Sequence, residues 1–343
     1  MHTRTDIRLA LPSKGRLARG SLELLEAAGL GVHKPNPRQY MAEIPNLPNV
    51  TVLFQRAGDI VVGVRDGSVD FGITGWDVIA ERCGENRAVL PLHKALGFGH
   101  CTLNLIVPDH WEEVRTLDGL ARRQAQQPDP LRVATKFPNL TARFLRSRGL
   151  TRVRLIKAEG ALEIAPTIGY ADAIVDLVSS GVTLRENGLR ALQDGQILRS
   201  QAALIANRHA LRTRPEVLDV ARQLLEFIVA HLRAAGNLNL FANIRGPSPE
   251  AIARRMLSQN VIAGLQGPTI APVISPQQGD WFAANIVVRK DQLAQAIAEL
   301  RAIGGSGVVV TPVTYIFEEE PAEYRAMLAA LEQEHPLSEK TPC

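Results

Sequence analysis

The sequence predicts an α/β protein built from two lobes, followed by a smaller C-terminal domain. From Ile7 to about residue 235, short apolar runs alternate with stretches in which apolar residues recur at helical spacing. Beyond Gly236 the predicted order of elements changes to β-α-β-β-α-β. A chain of 343 residues is long enough for two or three domains of about 150 residues each.

The first lobe is predicted to span residues 1–98 and 202–236. It begins with a strand at residues 7–11, a polar loop at 12–16 and a leucine-rich helix that ends at Gly29. The alternation continues with predicted strands at 50–55 and 70–74 and predicted helices at 59–66 and 76–82. Because helices separate these strands, we expect a largely parallel sheet.

The second lobe, residues 99–201, repeats the pattern. Its predicted strands lie at 101–107, 132–135 and 173–177, and its predicted helices at 111–123 and 140–148. A polar stretch with two prolines, residues 124–130, predicts a surface insertion without chemistry of its own. A single strand at 196–206 and an amphipathic helix at 215–235 follow.

The C-terminal domain, residues 237–318, has the ferredoxin-like order of elements. Its predicted strands lie at 238–245, 269–274, 281–288 and 307–317, and its predicted helices at 249–258 and 291–302. Small domains of this kind often sense ligands, although the fold alone does not establish such a function. The remaining tail, residues 319–343, is predicted to contain one helix followed by frayed chain.

Composition and charge argue against several classes of protein. The net charge is +4 and the basic residues are scattered among acids, so no nucleic-acid partner is indicated. No apolar run approaches the roughly 18 residues of a membrane span, and residues 1–11 lack the apolar stretch of a secretory signal. We therefore expect a cytoplasmic protein. Three widely spaced cysteines indicate neither a disulfide framework nor a zinc site.

The segment at residues 159–189 carries the most informative chemistry. A buried strand is predicted at 173–177, and the polar turn Ser179–Gly181 follows before Thr183 opens a helix. Backbone N–H groups, hydroxyls and the positive end of a helix dipole would converge there, as they do where proteins hold phosphate. Asp176 would face a sugar attached to that phosphate. On spacing alone, plain helix capping explains the turn equally well.

A pair of acids favours a ligand over capping. Asp172 and Asp176 are four residues apart, a spacing that places both side chains on one face of a strand. Two carboxylates on a buried sheet are costly unless a ligand or a cation uses them. The alternative is that Asp172 lies at a solvated strand entrance.

These residues resemble the phosphoribosyl pyrophosphate loop of the ATP phosphoribosyltransferases. Further segments resemble motifs of that family, in the family's order, at residues 11–17, 70–77, 95–99 and 265–272. The last of these is similar to the start of the regulatory domain that only the long form carries. The resemblance covers about residues 6–317 and implies a two-lobed core like that of periplasmic binding proteins, plus the ferredoxin-like domain.

The resemblance implies a reaction and a set of site residues. The family transfers the phosphoribosyl group of phosphoribosyl pyrophosphate to N1 of ATP, the first step of histidine synthesis. Positioning of two anionic substrates, with magnesium, matters more for this reaction than a protein nucleophile. The implied catalytic residues are Lys14, Glu163 and Asp176, and the implied ATP contacts are Arg16, Arg56 and Asp77. The implied phosphoribosyl pyrophosphate site comprises Asp172, Asp176, Leu177, Val178, Ser179, Ser180, Gly181, Val182 and Thr183. Metal ligands stay unassigned.

Some of these assignments have simpler alternatives. Glu163 follows Gly160 by three residues and would also suit a helix start, where acids are favoured. Lys14 would also be explained as an ordinary surface residue, because lysine side chains are usually exposed to solvent. Arg56 would equally well pair with Asp59 as bind a nucleotide.

Three aromatic or imidazole side chains near the matched segments are also considered. Trp76 would stack on adenine, but a half-buried helix residue is the favoured interpretation. His93 and His100 have no partner evident in the sequence, and no role is assigned to them.

For the last domain, the family precedent is feedback inhibition by histidine bound between C-terminal domains of neighbouring subunits. The matched positions are Asn243, Leu265, Thr269 and Gly307. Packing would explain Leu265, and a turn would explain Gly307, without any ligand. The resemblance also implies a homo-oligomer between dimer and hexamer, with the hexamer as the inhibited state and no separate regulatory subunit.

Two other classes of protein fit parts of the sequence. A two-lobed solute-binding protein would bind its ligand between the lobes without catalysis, but the absent export signal counts against it. A nucleotide-sensing regulator would need a DNA-binding helical motif or a basic patch, and the sequence shows neither.

Overall fold

The chain divides into two units. A computed structural model describes residues 5–34, 36, 39–83, 87–158, 160–274 and 280–333. The first unit comprises residues 1–26, 30–225 and 322–343, and the second comprises residues 27–29 and 226–321. Glu159 and the end of the predicted tail, residues 334–343, lie outside the described residues.

Strands and helices largely alternate along the first unit, whereas the second unit has the order β-α-β-β-α-β. The strands are β1 (Ile7–Pro12), β2 (Met41–Glu43), β3 (Val50–Gln55), β4 (Phe71–Gly75), β5 (Val89–His93), β6 (Cys101–Pro108), β7 (Leu131–Thr135), β8 (Val153–Lys157), β9 (Ala173–Val178), β10 (Leu189–Ser200), β11 (Ala202–Asn207), β12 (Asn237–Arg245), β13 (Thr269–Pro272), β14 (Trp281–Arg289) and β15 (Gly305–Pro312). The helices are α1 (Gly15–Ala27), α2 (Ala57–Asp66), α3 (Trp76–Cys83), α4 (Leu117–Ala125), α5 (Pro138–Ser147), α6 (Val182–Glu186), α7 (Arg208–Thr213), α8 (Pro215–Ala234), α9 (Pro249–Leu257), α10 (Leu293–Ala302) and α11 (Ala322–Glu332). Short 3-10 helices lie at Leu162–Ile164 and Lys290–Gln292.

The first unit contains two mixed sheets. The six-stranded sheet has the order β2-β3-β1-β4-β11-β5, in which the parallel neighbours are β3, β1 and β4 and every other pairing is antiparallel. The five-stranded sheet has the order β10-β6-β9-β7-β8, in which the parallel neighbours are β9, β7 and β8 and every other pairing is antiparallel. The sequence predicted largely parallel sheets, but parallel pairing is limited to three neighbouring strands in each sheet. β11 is antiparallel because it arrives from the other sheet and not through a helix that follows β4.

Apolar side chains bury the central strands of both sheets. All residues of β4 and of β11 are buried, as expected of strands covered on both faces. In the second sheet, Leu103, Leu105 and Val175 share a core with Trp111 and Leu120. The parallel strands of each sheet end at one edge, and the loops that leave this edge carry most of the predicted site residues.

The predicted strand at 196–206 is two strands in different sheets. β10 ends at Ser200, Gln201 separates the strands, and β11 begins at Ala202. The Gln201 carbonyl accepts a hydrogen bond from Trp76 N–H at 2.9 Å, and its side-chain Oε1 accepts from Gly97 N–H at 3.0 Å. The apolar pattern does not show this break, because the pairing partners on either side lie far away in the sequence.

Two further predictions near residue 120 need correction. The helix expected at 111–123 begins only at Leu117, because Thr116 caps it by accepting a hydrogen bond from Gly119 N–H at 3.3 Å. The expected surface insertion at 124–130 starts inside α4. Gln124 is buried, and its side-chain amide donates to the Arg152 carbonyl.

The second unit has the predicted ferredoxin-like topology. Its four strands are antiparallel in the order β13-β14-β12-β15, and Ile252 of α9 and Leu300 of α10 belong to the core beneath them. The last strand ends at Pro312, earlier than the predicted residue 317. Aromatic residues beyond it pack on α8 instead: the Phe317 ring lies 5.6 Å from the Phe227 ring, centroid to centroid.

The helix predicted in the tail belongs to the first unit. α11 buries Met327 and receives hydrogen bonds at its carboxyl end, where Arg208 donates to the Ala330 carbonyl and Arg212 to that of Leu331. Residues 322–333 are therefore an integral part of the first unit, which the isolated helical pattern did not indicate. Throughout the described segments, no helix combines the length and apolarity that a bilayer crossing requires.

A buried ion pair gives a test of the first unit's stability. Arg214 Nη1 lies 3.0 Å from Asp70 Oδ1, and the Asp70 side chain is only 1% exposed. Arg214→Met leaves a buried carboxylate without its guanidinium, so we expect a loss of about 3 kcal/mol in the free energy of unfolding, measured by urea denaturation. Arg19→Met, which breaks an exposed pair with Glu23, should cost less than about 0.5 kcal/mol. Equal losses in the two variants would contradict this expectation.

Candidate active site

The loop after β9 presents hydroxyls and backbone N–H groups at a sheet edge. Gly181 has φ +71° and ψ +5°, a left-handed conformation that glycine adopts without strain. Val182 N–H lies 3.5 Å from Ser180 Oγ. α6 spans only five residues, so the predicted contribution of a helix dipole is small. The groups that this loop offers to an anion are therefore its hydroxyls and N–H groups more than a helix dipole.

Asp176 shares its surroundings with one predicted and one unpredicted residue. Its Oδ1 accepts a hydrogen bond from Leu177 N–H at 2.8 Å. Burial raises the pKa of Asp176; the Leu177 N–H and the charge of Lys136 oppose the rise, and the charge of Glu163 adds to it. The structure therefore brings together Glu163, Asp176 and Lys136. Lys136 follows β7, which is parallel to β9, so its place at a neighbouring strand end was the signal in the sequence.

Asp172 is separated from this loop by the whole of β9. Its Oδ1 lies 2.7 Å from Arg132 Nη2, and its Oδ2 accepts from Arg132 N–H at 2.8 Å. Burial alone would raise the pKa of Asp172, but the hydrogen bonds from Arg132 lower it below its ordinary value. The six residues of β9 extend for about 20 Å. The expectation that both aspartates serve one ligand is thus corrected, because Asp172 is held at the opposite end of the strand.

A cavity of about 650 Å³ lies where the chain passes between the two sheets. It is lined by Trp76, Lys94, His100, Cys101, Thr102, Val178, Ser179, Arg199, Ser200 and Gln201. Lys94, His100 and Arg199 supply basic groups, and no acidic side chain is among the described residues that line it. The sequence did not single out Lys94 or Arg199, because they approach each other only through the two crossings. Such a cavity suits a polyanionic ligand.

A hydrogen bond joins the start of α1 to the loop after β9. Arg16 Nη2 donates to Ser179 Oγ at 2.6 Å. Arg16 lies at the start of α1, beside the first sheet, and Ser179 lies in the loop of the second. The resemblance had assigned these residues to different substrates, and the structure places them in contact.

Trp76 forms part of the cavity wall and is half-buried, as expected. Lys94 Nζ lies 5.2 Å from the centroid of its ring. This distance is within the range of a cation–π contact.

Asp77 connects α3 to β10 rather than facing the cavity directly. Its side chain is buried, Ser200 Oγ donates to its Oδ1 at 2.5 Å, and Asp77 N–H donates to Ser200 Oγ at 2.9 Å. Burial raises the pKa of Asp77, and hydrogen bonds to its carboxylate from Ser200 and from the backbone N–H groups of Asp77 and Val78 partly offset the rise. A β-carbon at Gly75 would lie 2.4 Å from Oδ1, so only glycine leaves room for this carboxylate.

Comparisons with known proteins show which family the chain matches. The family model for ATP phosphoribosyltransferase matches residues 56–232, and the model for the HisG C-terminal domain matches residues 234–315. The chain is 46% identical over 335 residues to ATP phosphoribosyltransferase 2, chloroplastic, of Arabidopsis thaliana, covering 96% of this chain and 81% of that protein. It is 38% identical to the ATP phosphoribosyltransferase of Gemmatimonas aurantiaca, covering 90% and 98% of the two chains.

The chain belongs to the ATP phosphoribosyltransferase family. It has the C-terminal domain of the long form, as the sequence predicted. Among solved structures, a chain of the ATP phosphoribosyl transferase (HisG:HisZ) complex from Thermotoga maritima is similar, with a TM-score of 0.50 and 28% identity over 65% of this chain and 98% of that one. The protein is an enzyme of the first step of histidine biosynthesis, and a non-catalytic solute-binding role is not favoured.

Two further residues expected at the active site of this phosphoribosyltransferase lie at the edge of the first sheet. Lys14 and Arg56 are exposed and follow the ends of β1 and β3, which are paired in parallel. The Arg56 carbonyl accepts from Asp59 N–H at 2.9 Å, but no ion pair joins their side chains, both of which the structure describes. The structural alternative for Arg56 is therefore not realised. Glu163 lies in a 3-10 helix of three residues, Leu162–Ile164. The alternative interpretation of Glu163, an acid at the start of a helix, therefore applies only to this short helix.

The residues expected to bind histidine lie in the second unit of the phosphoribosyltransferase. Asn243 and Gly307 are close, because a β-carbon at Gly307 would lie 3.7 Å from Asn243 Nδ2. Gly307 has φ +57° and lies where the pairing of β12 with β15 is irregular, so a conformational role explains the glycine. Thr269 of β13 pairs with Asn285 of β14, and β14 separates β13 from β12, the strand that carries Asn243. Leu265 is 49% exposed, so the alternative that it serves only to pack the core has little support.

The environments of Asp172, just before β9, and of Asp176, within it, predict opposite effects on stability. The raised pKa of Asp176 means that its contribution to stability is present below the ordinary pKa of 3.8 and is lost as the pH rises through the folded-state pKa. The lowered pKa of Asp172 means that its contribution is present above 3.8 and is lost as the pH falls through the folded-state pKa. Ionisation of Asp176 therefore lowers the stability of the fold, whereas ionisation of Asp172 raises it.

We expect Asp176→Asn to raise the free energy of unfolding at pH 7 by about 1 kcal/mol, and Asp172→Asn to lower it by about 1 kcal/mol. Urea denaturation at pH 7 and at pH 3 measures both effects. Each difference from the unmodified protein should shrink at pH 3, where the carboxyl groups take up protons. Effects of the same sign at pH 7 would contradict the assignment of the two environments.

Proposed function

We propose that the cavity and the loop after β9 bind ATP and phosphoribosyl pyrophosphate together, for transfer of the phosphoribosyl group to N1 of ATP. The observation that carries this proposal is the contact between Arg16 and Ser179 beside a cavity lined by basic groups. Two polyanions must approach each other in the reaction, so their mutual repulsion has to be offset by positive charge. Lys94, Arg199 and Arg16 supply that charge.

The loop is proposed to hold the 5-phosphate of phosphoribosyl pyrophosphate. Residues 177–183 offer the hydroxyls of Ser179, Ser180 and Thr183 and successive backbone N–H groups. The left-handed Gly181 provides the tight turn between Ser180 and α6. Leu177 and Val178 contribute through their backbone, since the side chain of Leu177 is exposed and apolar. Asp172, at the far end of β9, is not included.

The carboxylates of Asp176 and Glu163 are proposed to serve the ribose and a magnesium ion. Among the described residues no group of three or more His, Cys, Asp or Glu side chains is placed to hold a metal ion alone. Magnesium usually takes one or two carboxylates and completes its shell with substrate phosphates and water, so this pair fits it. Burial and mutual repulsion raise the pKa of Asp176, and a cation would relieve both. Bound there, magnesium would neutralise charge on the departing pyrophosphate.

The adenine nucleotide is proposed to lie toward the first sheet. Arg16 and Arg56 leave the edge formed by β1 and β3, and Trp76 exposes part of its ring to the cavity. Asp77 is proposed to act indirectly, by fixing Ser200 and the start of α3. Lys14 is proposed to contact the pyrophosphate of the second substrate from the same edge. No protein nucleophile is required, because the enzyme accelerates the transfer by positioning and by charge.

For the second unit we propose feedback inhibition by histidine near Asn243 and Thr269, with Gly307 shaping the site and Leu265 at its margin. A homo-oligomer up to a hexamer is proposed on the same precedent. Support comes from the match of the C-terminal family model and from the proximity of Asn243 to Gly307. A cytoplasmic location stays a prediction.

Removal of one cavity charge tests the substrate assignment. Arg199→Ala should raise the KM for a substrate about tenfold, because one charge-assisted hydrogen bond to phosphate is lost. Arg146→Ala, which removes an exposed charge from α5, serves as the matched control and should leave KM within about twofold. Initial rates with ATP, phosphoribosyl pyrophosphate and magnesium measure both variants. Unchanged KM values for both substrates in Arg199→Ala would remove the cavity from the substrate site.

Histidine tests the proposed regulation. Added histidine should slow the forward reaction and increase the sedimentation coefficient, because a ligand that favours one assembly shifts its population. Asn243→Ala should weaken the inhibition about tenfold or more, since it removes polar contacts at the proposed site. A wild-type enzyme that responds to histidine in neither measurement would refute the sensor assignment.

A further inference from the structure

A turn at the end of β5 presents Lys94 to the cavity. β5 ends at His93, and Lys94 is the next residue. Ala95 N–H donates to His93 Nδ1 at 3.2 Å, so the imidazole closes a turn that encloses Lys94. This side chain-to-backbone bond has the same form as the turns that asparagine makes with the second residue after it. The direction of Lys94 therefore depends on the orientation of the preceding ring.

The orientation of that ring has a second determinant. Because Nδ1 accepts a hydrogen bond, the neutral imidazole carries its proton on Nε2. Nε2 lies 3.7 Å from Glu323 Oε1, and the His93 side chain is only 13% exposed. The carboxylate of Glu323 thus faces the nitrogen that bears the proton. His93 is held between the backbone of the turn on one side and this carboxylate on the other.

Glu323 lies on α11, outside both segments matched by the family models, which end at residue 315. α11 is fixed to the first unit by the bonds from Arg208 and Arg212 to its last carbonyls. Both arginines belong to α7, which directly follows β11, the strand paired with β5. The same part of the sheet therefore supports both α11 and the turn at His93.

We propose that His93 is a positioning residue for Lys94 and that Glu323 of α11 sets the orientation of its imidazole. The C-terminal helix is then part of the support of the active site. This inference rests on the proposed role of Lys94 as a phosphate-binding residue. It assigns a role to the helix and to a histidine that the matched family segments leave unexplained.

Two substitutions at His93 separate positioning from packing. His93→Phe keeps a ring in place but removes the acceptor for Ala95 N–H. His93→Asn restores an acceptor with a smaller side chain. His93→Phe should raise the KM of the substrate that Lys94 binds by about three- to tenfold, the worth of one hydrogen bond, with kcat little changed. His93→Asn should return KM to within about twofold of the wild-type value.

The same measurements in a Lys94→Ala background complete the test. Lys94→Ala should itself raise that KM, and His93→Phe should then add no further increase, because its effect passes through Lys94. Glu323→Ala should raise KM in the same direction as His93→Phe, whereas Glu323→Gln, which keeps an oxygen acceptor, should raise it less. Thermal unfolding of each variant confirms that the folded protein is assayed.

Three other results would contradict the proposal, each at a different point. If Lys94→Ala raises KM but His93→Phe does not, the positioning role is wrong and the substrate assignment stands. If His93→Phe and His93→Asn raise KM equally and add to Lys94→Ala, His93 acts only through packing and the inference fails. If Lys94→Ala leaves both KM values unchanged, the proposed role of Lys94 and the inference that rests on it both fail.

Discussion

The double crossing of the chain between the two sheets of the first unit is the constraint on which the site depends. The two crossing segments are hydrogen-bonded to each other: Leu96 N–H donates to the Ala202 carbonyl at 3.0 Å, and Ala202 N–H donates to the Phe98 carbonyl at 2.9 Å. These bonds fix where each sheet begins and which side chains line the space between them. The cavity, its basic lining and the contact between Arg16 and Ser179 all follow from that arrangement.

The environments of Asp176, near the end of β9, and of Asp172, just before its start, differ in their effect on stability. Burial and the charge of Glu163 raise the pKa of Asp176, whereas Asp172 is paired with Arg132. A fold selected for stability alone would pair or replace Asp176. Its retention beside Lys136 and the polar turn is understandable if a sugar and a metal ion complete its surroundings.

The electrostatic character of the site comes from placement rather than composition. The chain as a whole carries only +4, spread over many basic and acidic residues. Arg16, Lys94 and Arg199 come from three separate segments, and the sequence singled out only Arg16. Their convergence beside one cavity produces a local positive potential that the net charge does not indicate. α11 adds to this arrangement from a distance, through His93 and the turn that carries Lys94.

The sequence by itself determined the order and type of most elements, the ferredoxin-like second unit and the polar turn after β9, but it did not predict β2, β5, β8 or α7. These features depend on local periodicity and on residues adjacent in the chain, which a single sequence displays directly. Tertiary structure alone decided the break at Gln201, the separation of Asp172 from the loop and the docking of α11. Each of these depends on hydrogen bonds, ion pairs or packing between residues far apart in the chain, and no local pattern encodes such partners.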